Sequence, residues 1–291
     1  MPEGPEILNA ANQLQRVLVG NVLQEIYFRM ARLKPFEACR VGTTVEAIET
    51  RGKAMLTKLN NGLTLYTHNE LHGLWFVGER DRQPRTRRKL MAALHTQHHC
   101  ALLFSAITIN VLDDHGVRAH PFLNKLGPDV LAPGLSWRDI VTRLTSTEFN
   151  SRSLARLYLD QHFIAGIGNY LRSEILFFSH LHYSARPLDL SAAELERLAR
   201  QTLAVAKRAY HTGGMTNAQA HIGRRQAAGE ERRRNLRHAV FDRAVRPCDH
   251  CGQVIQRVDI DFRRLYFCPH CQPSKATGVD SIESHGSSGF Q

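Results

Sequence analysis

The chain has 291 residues, a formal net charge of +11 and 43% hydrophobic residues. That length suits two medium-sized domains, and the apolar fraction is high enough to form cores, which excludes wholesale disorder. No apolar run approaches the roughly 18 residues that a membrane-spanning helix needs. The N-terminus carries Glu3 and Glu6 and lacks the apolar segment of a signal peptide. We therefore expect a cytoplasmic protein with no membrane partner.

The basic charge balance indicates a polyanionic partner. Lysine and arginine together number 38, against 27 acidic residues. On a globular chain such an excess is typical of proteins that bind nucleic acid. A generally basic surface with no specific ligand would give the same count, so charge alone leaves both interpretations open.

The first half of the chain predicts one helix followed by a pair of sheets. Apolar residues recur at the helical period from Ile7 to Leu18, and Gly20 can end the helix. Short β-branched or alternating runs then follow, separated by turn residues, which favours a sandwich or barrel-like sheet pair. These runs cover residues 22–30, 44–50, 54–59, 64–68, 74–77, 101–104 and 107–112.

The second half predicts mainly helices. After the Gly-Pro and Pro-Gly pairs at residues 127–134 the apolar period becomes helical, so we place the boundary between the halves near residues 128–150. Ser191 and Glu194 have the spacing of a capping box for the last long helix. Residues 211–235 lack a clear period and are interpreted as a mobile loop. The predicted helices cover residues 137–144, 153–161, 170–178 and 192–210.

Four of the six cysteines form two Cys-x-x-Cys pairs with 16 residues between them. Two such pairs can supply the four thiolates of a tetrahedral zinc site, and alternating residues between them predict a hairpin, as in a zinc ribbon. Because the protein would fill every coordination position, the zinc ion would be structural. Two disulfides are the alternative, but nothing indicates secretion. The four cysteines are Cys248, Cys251, Cys268 and Cys271.

The other two cysteines, Cys39 and Cys100, are expected to be small buried hydrophobic residues in a reducing compartment.

The N-terminus contains a candidate nucleophile. Removal of Met1 would leave Pro2 with a free secondary amine. An α-amino group has a pKa of about 7.7–8.0, so roughly a tenth of it is neutral at pH 7. Attack of this amine on a carbonyl-like carbon would give an iminium with no N–H to lose, which is the electron-withdrawing intermediate that β-elimination needs. Glu3 could donate a proton to the opening sugar ring. Ordinary helix-start chemistry is the alternative explanation for these residues.

Several motifs occur in an order that resembles a known protein family. In that order they resemble the bifunctional DNA glycosylases/AP lyases of the formamidopyrimidine-DNA glycosylase and endonuclease VIII family, over about residues 2–272. These motifs are residues 2–6 (PEGPE), residues 51–53 (RGK), residues 167–176 (IGNYLRSEIL) and the four-cysteine ribbon. The resemblance is to the endonuclease VIII branch at residues 33–35 (LKP), 120–123 (HPFL) and 127–129 (GPD).

The resemblance implies an α+β fold with two domains and DNA in the cleft between them. An N-terminal helix and β-sandwich would be joined to a helical domain that contains a helix–two-turn–helix and is followed by the zinc ribbon. The expected bounds are 2–130 for the catalytic β-sandwich domain, 131–237 for the helix–two-turn–helix DNA-binding domain, 238–272 for the zinc-ribbon finger and 273–291 for a disordered tail.

The resemblance also implies catalytic roles. Pro2 would attack C1′ of the damaged nucleotide, and Glu3 would protonate the sugar. Lys53 would assist, either as the proton donor in β-elimination or as a phosphate clamp. Arg263 matches the ribbon arginine that grips phosphate and is assigned to δ-elimination, with Arg264 as a competitor for that role.

Further residues are expected to bind DNA. Gly166 and Gly168 interrupt the helix–turn–helix, where backbone N–H groups at a helix start can face a phosphate. Asn169 would add a neutral donor and Arg172 a charge. Lys125 falls where the family usually carries a basic DNA-contacting residue.

Residues 70–72 depart from the pattern of the endonuclease VIII branch, which often has glutamine at the place of Glu70 and an aromatic residue at the place of His72. These residues would form the wedge that fills the hole left by a flipped base, and Leu71 keeps an apolar plug there. Glu70 could accept a hydrogen bond from a cytosine amino group or point away from the DNA. Residues 211–235 also look unlike the better-known family members.

The implied function is base-excision repair. The enzyme would flip an oxidised pyrimidine out of damaged duplex DNA, remove it, and cleave the strand by β,δ-elimination through a Schiff base at Pro2. It would bind one structural zinc ion, act as a monomer, and lie on the nucleoid when bound to DNA. The alternatives are an oxidised-purine glycosylase of the same family and a non-catalytic zinc-ribbon DNA-binding protein. The latter does not account for the presence of Pro2, Glu3 and Lys53 together.

Overall fold

The structure is a computed structural model that describes residues 2–38, 42–70 and 72–274. The expectations for the Leu71 plug, for burial of Cys39 and for the tail beyond residue 274 lie outside the described residues. Among the described residues, no helix has the length and apolar character that crossing a bilayer would require.

The first half of the chain is a helix packed on two antiparallel four-stranded sheets. Helix α1 (Gly4–Leu18) buries Ile7, Leu14 and Leu18 in the core that the sheets share. The strands are β1 (Glu25–Phe28), β2 (Val45–Arg51), β3 (Ala54–Leu59), β4 (Leu63–His68), β5 (Leu74–Glu79), β6 (Leu90–His95), β7 (His99–Phe104) and β8 (Thr108–Asp113). The strand orders are β2-β3-β4-β8 in one sheet and β1-β6-β7-β5 in the other. This arrangement confirms the predicted β-sandwich.

Strand β6 is not predicted by the sequence pattern. This strand lies between β1 and β7, and Ala92, Ala93 and Leu94 are all buried. Because it is covered on both faces it has no polar alternation, and its alanine-rich composition lacks the β-branched residues that indicate strands. Two short helices of this half, α2 (Pro35–Ala38) and α3 (Asp114–Ala119), were not predicted either.

The second half is helical, and its central helix is almost completely enclosed. Helix α6 (Asn169–Phe178) is buried at every residue from Tyr170 to Phe177. The predicted capping box of helix α7 (Ala192–His211) is confirmed, because the Ser191 hydroxyl accepts from the Glu194 N–H and the Glu194 carboxylate accepts from the Ser191 N–H. The helices are α4 (Trp137–Thr145), α5 (Leu154–Leu157), α6 (Asn169–Phe178), α7 (Ala192–His211), α8 (Gln219–Ala227) and α9 (Arg233–Leu236).

Residues 211–235 contain more structure than the sequence predicts. Helix α8 and the start of α9 fall in this segment, so its interpretation as a mobile loop is wrong for these residues. Arg225 fixes α8 through its Nε, which lies 3.0 Å from Asp249 Oδ1, and through Nη1, which donates to the Asn235 carbonyl. Ile222 is the one buried residue of α8, so the apolar period that would indicate a helix is absent.

The cysteine-rich segment forms a hairpin that packs on the central helix. Strands β9 (Gln256–Ile260) and β10 (Arg263–Phe267) pair antiparallel. Leu265 and Phe267 join the core of the helical domain. The Ser173 hydroxyl of α6 accepts from the Tyr266 N–H at 3.2 Å. The hairpin is therefore held against α6.

Candidate active site

Distant segments of the chain are joined here by hydrogen bonds from backbone N–H groups. The Gly4 N–H donates to the Gly166 carbonyl at 2.8 Å, which joins the start of α1 to the turn before α6. The Gly52 N–H donates to Asp129 Oδ2 at 2.8 Å. Gly52 has a φ of +60°, and a Cβ there would lie 3.1 Å from the Ala165 Cβ, so the turn between β2 and β3 needs glycine for two reasons.

Glu3 lies at the centre of this meeting point. It is 1% exposed, and its carboxylate accepts from the N–H groups of Gly168, Tyr170 and Leu171 at 2.7, 2.9 and 3.2 Å. The carboxylate thus occupies the positive N-terminal end of α6. The Gly168 N–H, expected to face a phosphate, binds Glu3 instead, and the Gly166 N–H donates to the Gln161 side chain at 3.0 Å.

Burial shifts the pKa values of Glu3 and Lys53 in opposite directions. Burial raises the pKa of Glu3 to about 7, against the lowering effects of the Lys53 charge and of the backbone hydrogen bonds. Burial also lowers the pKa of Lys53; the Glu3 charge opposes this shift, and Arg263 adds to it. A carboxyl with a pKa near 7 can hold and release a proton at neutral pH, as a general acid must.

A cleft of about 360 Å³ opens beside this pair. It brings together five of the candidate site residues from the sequence, including Gly168 and Arg263, and Arg264, the competitor of Arg263, is not among its lining residues. The Glu70 carboxylate accepts a hydrogen bond from the Thr108 hydroxyl. Residues lining the cleft include Lys53, His68, Glu70, Phe122, Asn169 and Arg263.

Pro2 lies at a second cavity, of about 400 Å³. Glu6, Asn69, His72 and Arg237 also line it. The Glu6 carboxylate accepts from the Tyr170 hydroxyl at 3.0 Å and is ion-paired with Arg237. Neither Glu6 nor Arg237 was predicted as a site residue. The sequence does contain a signal for Glu6, because it stands three residues after the helix cap, the spacing of a capping box. In the structure its carboxylate accepts from the Glu3 N–H at 3.0 Å.

Two of the expected DNA contacts are placed apart from the cleft lining. Lys125 is exposed at the end of the short turn Leu123–Lys125. Arg172 is 0% exposed, and its guanidinium donates to the carbonyls of Ala155 at 2.8 Å and Arg264 at 2.9 Å. Its expected contact with DNA is therefore corrected, because the side chain lies on the face of α6 beneath the hairpin and holds β10 in place.

The four cysteines of the hairpin form a metal site. Their sulfur atoms all lie within 4.8 Å of one another, and the Sγ atoms are 3.9 Å apart for Cys248 and Cys271 and 3.5 Å apart for Cys251 and Cys268. A tetrahedral zinc ion with Zn–S bonds of about 2.3 Å requires sulfur separations of roughly 3.8 Å. The donor set therefore fits one structural zinc ion with all four positions supplied by protein.

Comparison with known protein families covers most of the chain. The formamidopyrimidine-DNA glycosylase N-terminal domain matches residues 1–107, and the H2TH domain of the same glycosylase matches residues 126–220. A zinc finger found in FPG and IleRS matches residues 247–273.

Curated relatives match over their whole length. Endonuclease 8 of Salmonella arizonae is 42% identical over 272 residues, which is 94% of this chain and 100% of the relative. Endonuclease 8 of Escherichia coli K12 is 40% identical with the same coverage.

Solved structures share the fold at low identity. A complex between Lactococcus lactis Fpg and DNA containing an abasic site has a TM-score of 0.76 at 19% identity, covering 94% of this chain and 100% of that one. A structure of MutM with DNA containing carbocyclic 8-oxo-G has a TM-score of 0.76 at 20% identity and the same coverage. With the family matches and the relatives at 40% identity or more, these findings show that the chain belongs to the formamidopyrimidine-DNA glycosylase and endonuclease VIII family of DNA glycosylases with AP lyase activity.

Proposed function

We propose that this base-excision-repair enzyme removes oxidised pyrimidines and cleaves the strand through a Schiff base at Pro2, with Glu3, Lys53 and Arg263 as its other catalytic residues. The observation that carries the proposal is the buried Glu3 carboxyl, which is bonded to the start of α6 and lies within electrostatic range of Lys53. The 40% identity to endonuclease 8 over that relative's full length supports the pyrimidine preference. Because its partner is damaged duplex DNA, we place its action on the nucleoid.

The chemistry assigns one task to each residue. The neutral Pro2 nitrogen forms a bond to C1′ while the bond from C1′ to the base breaks. The departing base takes the electron pair and accepts the proton that the Pro2 nitrogen loses. Glu3 gives its proton to the ring oxygen as the sugar opens, leaving a cationic iminium at Pro2. Loss of a C2′ proton to solvent then expels the 3′ phosphate, and a second elimination, with loss of the C4′ proton to solvent, expels the 5′ phosphate. Lys53 and Arg263 offer positive charge to these leaving groups.

Borohydride trapping tests the proposal. With abasic-site duplex DNA, reduction by borohydride should link the protein covalently to the strand, since it converts the iminium to a stable amine. If the protein binds this DNA but forms no adduct, the alternative of a non-catalytic zinc-ribbon DNA-binding protein is correct. Turnover of duplexes carrying thymine glycol should exceed turnover of duplexes carrying an oxidised purine; the reverse order would identify the purine-specific alternative.

The pH dependence of base removal should show the ionisation of Glu3. The rate requires a protonated Glu3, whose pKa is about 7, and a neutral Pro2 amine, whose pKa is about 7.7–8.0. It should therefore peak between these two values, fall at more alkaline pH because Glu3 loses its proton, and fall at more acidic pH because Pro2 gains one. Replacing Glu3 by glutamine should lower the rate by about 10²–10⁴-fold. It should also abolish the alkaline fall, as measured by single-turnover kinetics. A variant that keeps the wild-type alkaline fall would remove Glu3 from the role of acid.

Close packing at Gly168 gives a second test of Glu3. A Cβ at this position would lie 2.5 Å from the Glu3 carboxyl, which is buried and cannot move aside without losing its hydrogen bonds. Gly168→Ala should therefore displace Glu3 and lower base removal by about 10²-fold, the scale of a misplaced catalytic group. Gly134→Ala is the matched control, because a Cβ there has no neighbour within 4 Å. Equal rates for the two variants would show that the position of Glu3 is unimportant.

A further inference from the structure

The tip of the zinc-ribbon hairpin presents an aromatic side chain to solvent. Phe262, in the two-residue turn between β9 and β10, is 102% exposed. The next residue, Arg263, lines the cleft that contains Lys53. A fully exposed phenyl group contributes no hydrophobic stabilisation to the folded protein. Its position beside the cleft therefore indicates a binding partner that covers it.

The turn itself does not call for phenylalanine. Asp261 and Phe262 have φ values of +49° and +61°, so both occupy the left-handed region. Two-residue hairpin turns of this kind favour asparagine and glycine, because a large side chain is disfavoured at positive φ. Phenylalanine at position 262 therefore strains the backbone of the turn, and the turn does not need this side chain in order to form.

The surrounding contacts hold the turn in one position. The Asp261 carboxylate lies 2.9 Å from Arg156 Nε and accepts from Arg156 Nη2 at 3.1 Å. The buried Arg172 donates to the Arg264 carbonyl and so fixes the first residues of β10. A side chain on this turn is thereby presented at a defined place relative to the cleft.

We propose that Phe262 is a DNA-contacting residue that stacks on a nucleobase flanking the lesion in the strand held by the cleft. The proposal rests on the placement of DNA in this cleft under the proposed function. Extrusion of a damaged nucleotide leaves the faces of the neighbouring bases unstacked, and an aromatic ring can cover such a face. Apolar side chains that enter a groove next to basic ones commonly insert at base steps in this way.

The test uses full-length, zinc-loaded protein and duplex DNA carrying a tetrahydrofuran abasic analogue, which cannot form a Schiff base. Phe262→Ser should raise the dissociation constant about tenfold, the scale of one lost base–aromatic stack. Phe262→Tyr should bind as tightly as the wild type, because the ring is kept. With 2-aminopurine beside the lesion, the wild type should quench its fluorescence and Phe262→Ser should not. Val245→Ala, at a ribbon residue that is 85% exposed, is the control and should leave binding and quenching unchanged.

The outcomes separate this inference from the proposed function. If Phe262→Ser binds and quenches like the wild type, or if Phe262→Tyr is as weak as Phe262→Ser, Phe262 does not stack on DNA. Borohydride trapping on ordinary abasic DNA is measured in parallel. Wild-type protein that forms no adduct overturns the proposed function, whereas trapping by wild type with unaltered binding by Phe262→Ser overturns only the stacking assignment.

Discussion

Replacing Pro2 by glycine should lower both borohydride trapping and strand cleavage on abasic DNA by about 10–100-fold. Glycine keeps a terminal amine, but its primary amine forms an imine that must hold an extra proton to stay cationic. The iminium of proline has no N–H to lose and so keeps its charge at any pH. The glycine variant also loses the ring that restricts the backbone where the chain enters α1 at Gly4. Residual trapping should remain weak but detectable.

The same experiment requires that Met1 be absent from the active protein. With Met1 attached, the Pro2 nitrogen would be a tertiary amide and could not attack a sugar. Intact mass measurement of the purified enzyme should therefore show a chain shorter by one methionine. Pro133→Gly, at an exposed proline, is the control and should trap like the wild type. Undiminished cleavage by Pro2→Gly, or an active enzyme that retains Met1, would contradict the role of Pro2.

The sequence indicated candidate site residues but not how they are held. The motifs around Glu3, Lys53 and Asn169 were identified through their resemblance to a known family. The acceptor role of Glu3 was not predictable, because its partner Gly168 lies 165 residues away along the chain. Local sequence patterns indicate periodicity and helix caps, whereas a contact between residues far apart in the chain depends on how the domains pack.

The basic residues illustrate the same limit. Arg172 and Arg263 look alike in the sequence, yet the first is 0% exposed and the second lines the cleft. From the sequence alone, Arg172 on helix α6 could face either solvent or another part of the fold. In the structure α6 packs against β10, and this packing buries the Arg172 side chain. Burial of an arginine requires carbonyl partners from distant segments, and these become visible only in the folded chain.

Loss of the zinc site should have the second large effect. Cys268→Ala removes one of four thiolates, and the binding energy of a structural zinc, about 10–16 kcal/mol in small zinc modules, is folding energy for the hairpin. Cys268 is fully buried in a cluster with Ile255, Tyr266 and Phe177, so the loss also leaves a gap in the packing between the hairpin and α6. We expect the variant to lose zinc and affinity for abasic-site DNA together.

The two losses should be coupled because the zinc-dependent hairpin carries Arg263, the residue that the proposed function assigns to the phosphate. Arg263 lines the cleft only while β10 is held against α6 by contacts such as that between Ser173 and the Tyr266 N–H. Metal analysis and fluorescence anisotropy measure the two quantities on the same sample. Cys100→Ala is the matched control, since Cys100 is buried in the β-sandwich domain, and it should keep one zinc per chain and wild-type affinity. If Cys268→Ala loses zinc but still binds DNA at wild-type strength, the hairpin does not contribute to DNA binding, and the assignment of Arg263 to the phosphate fails with it.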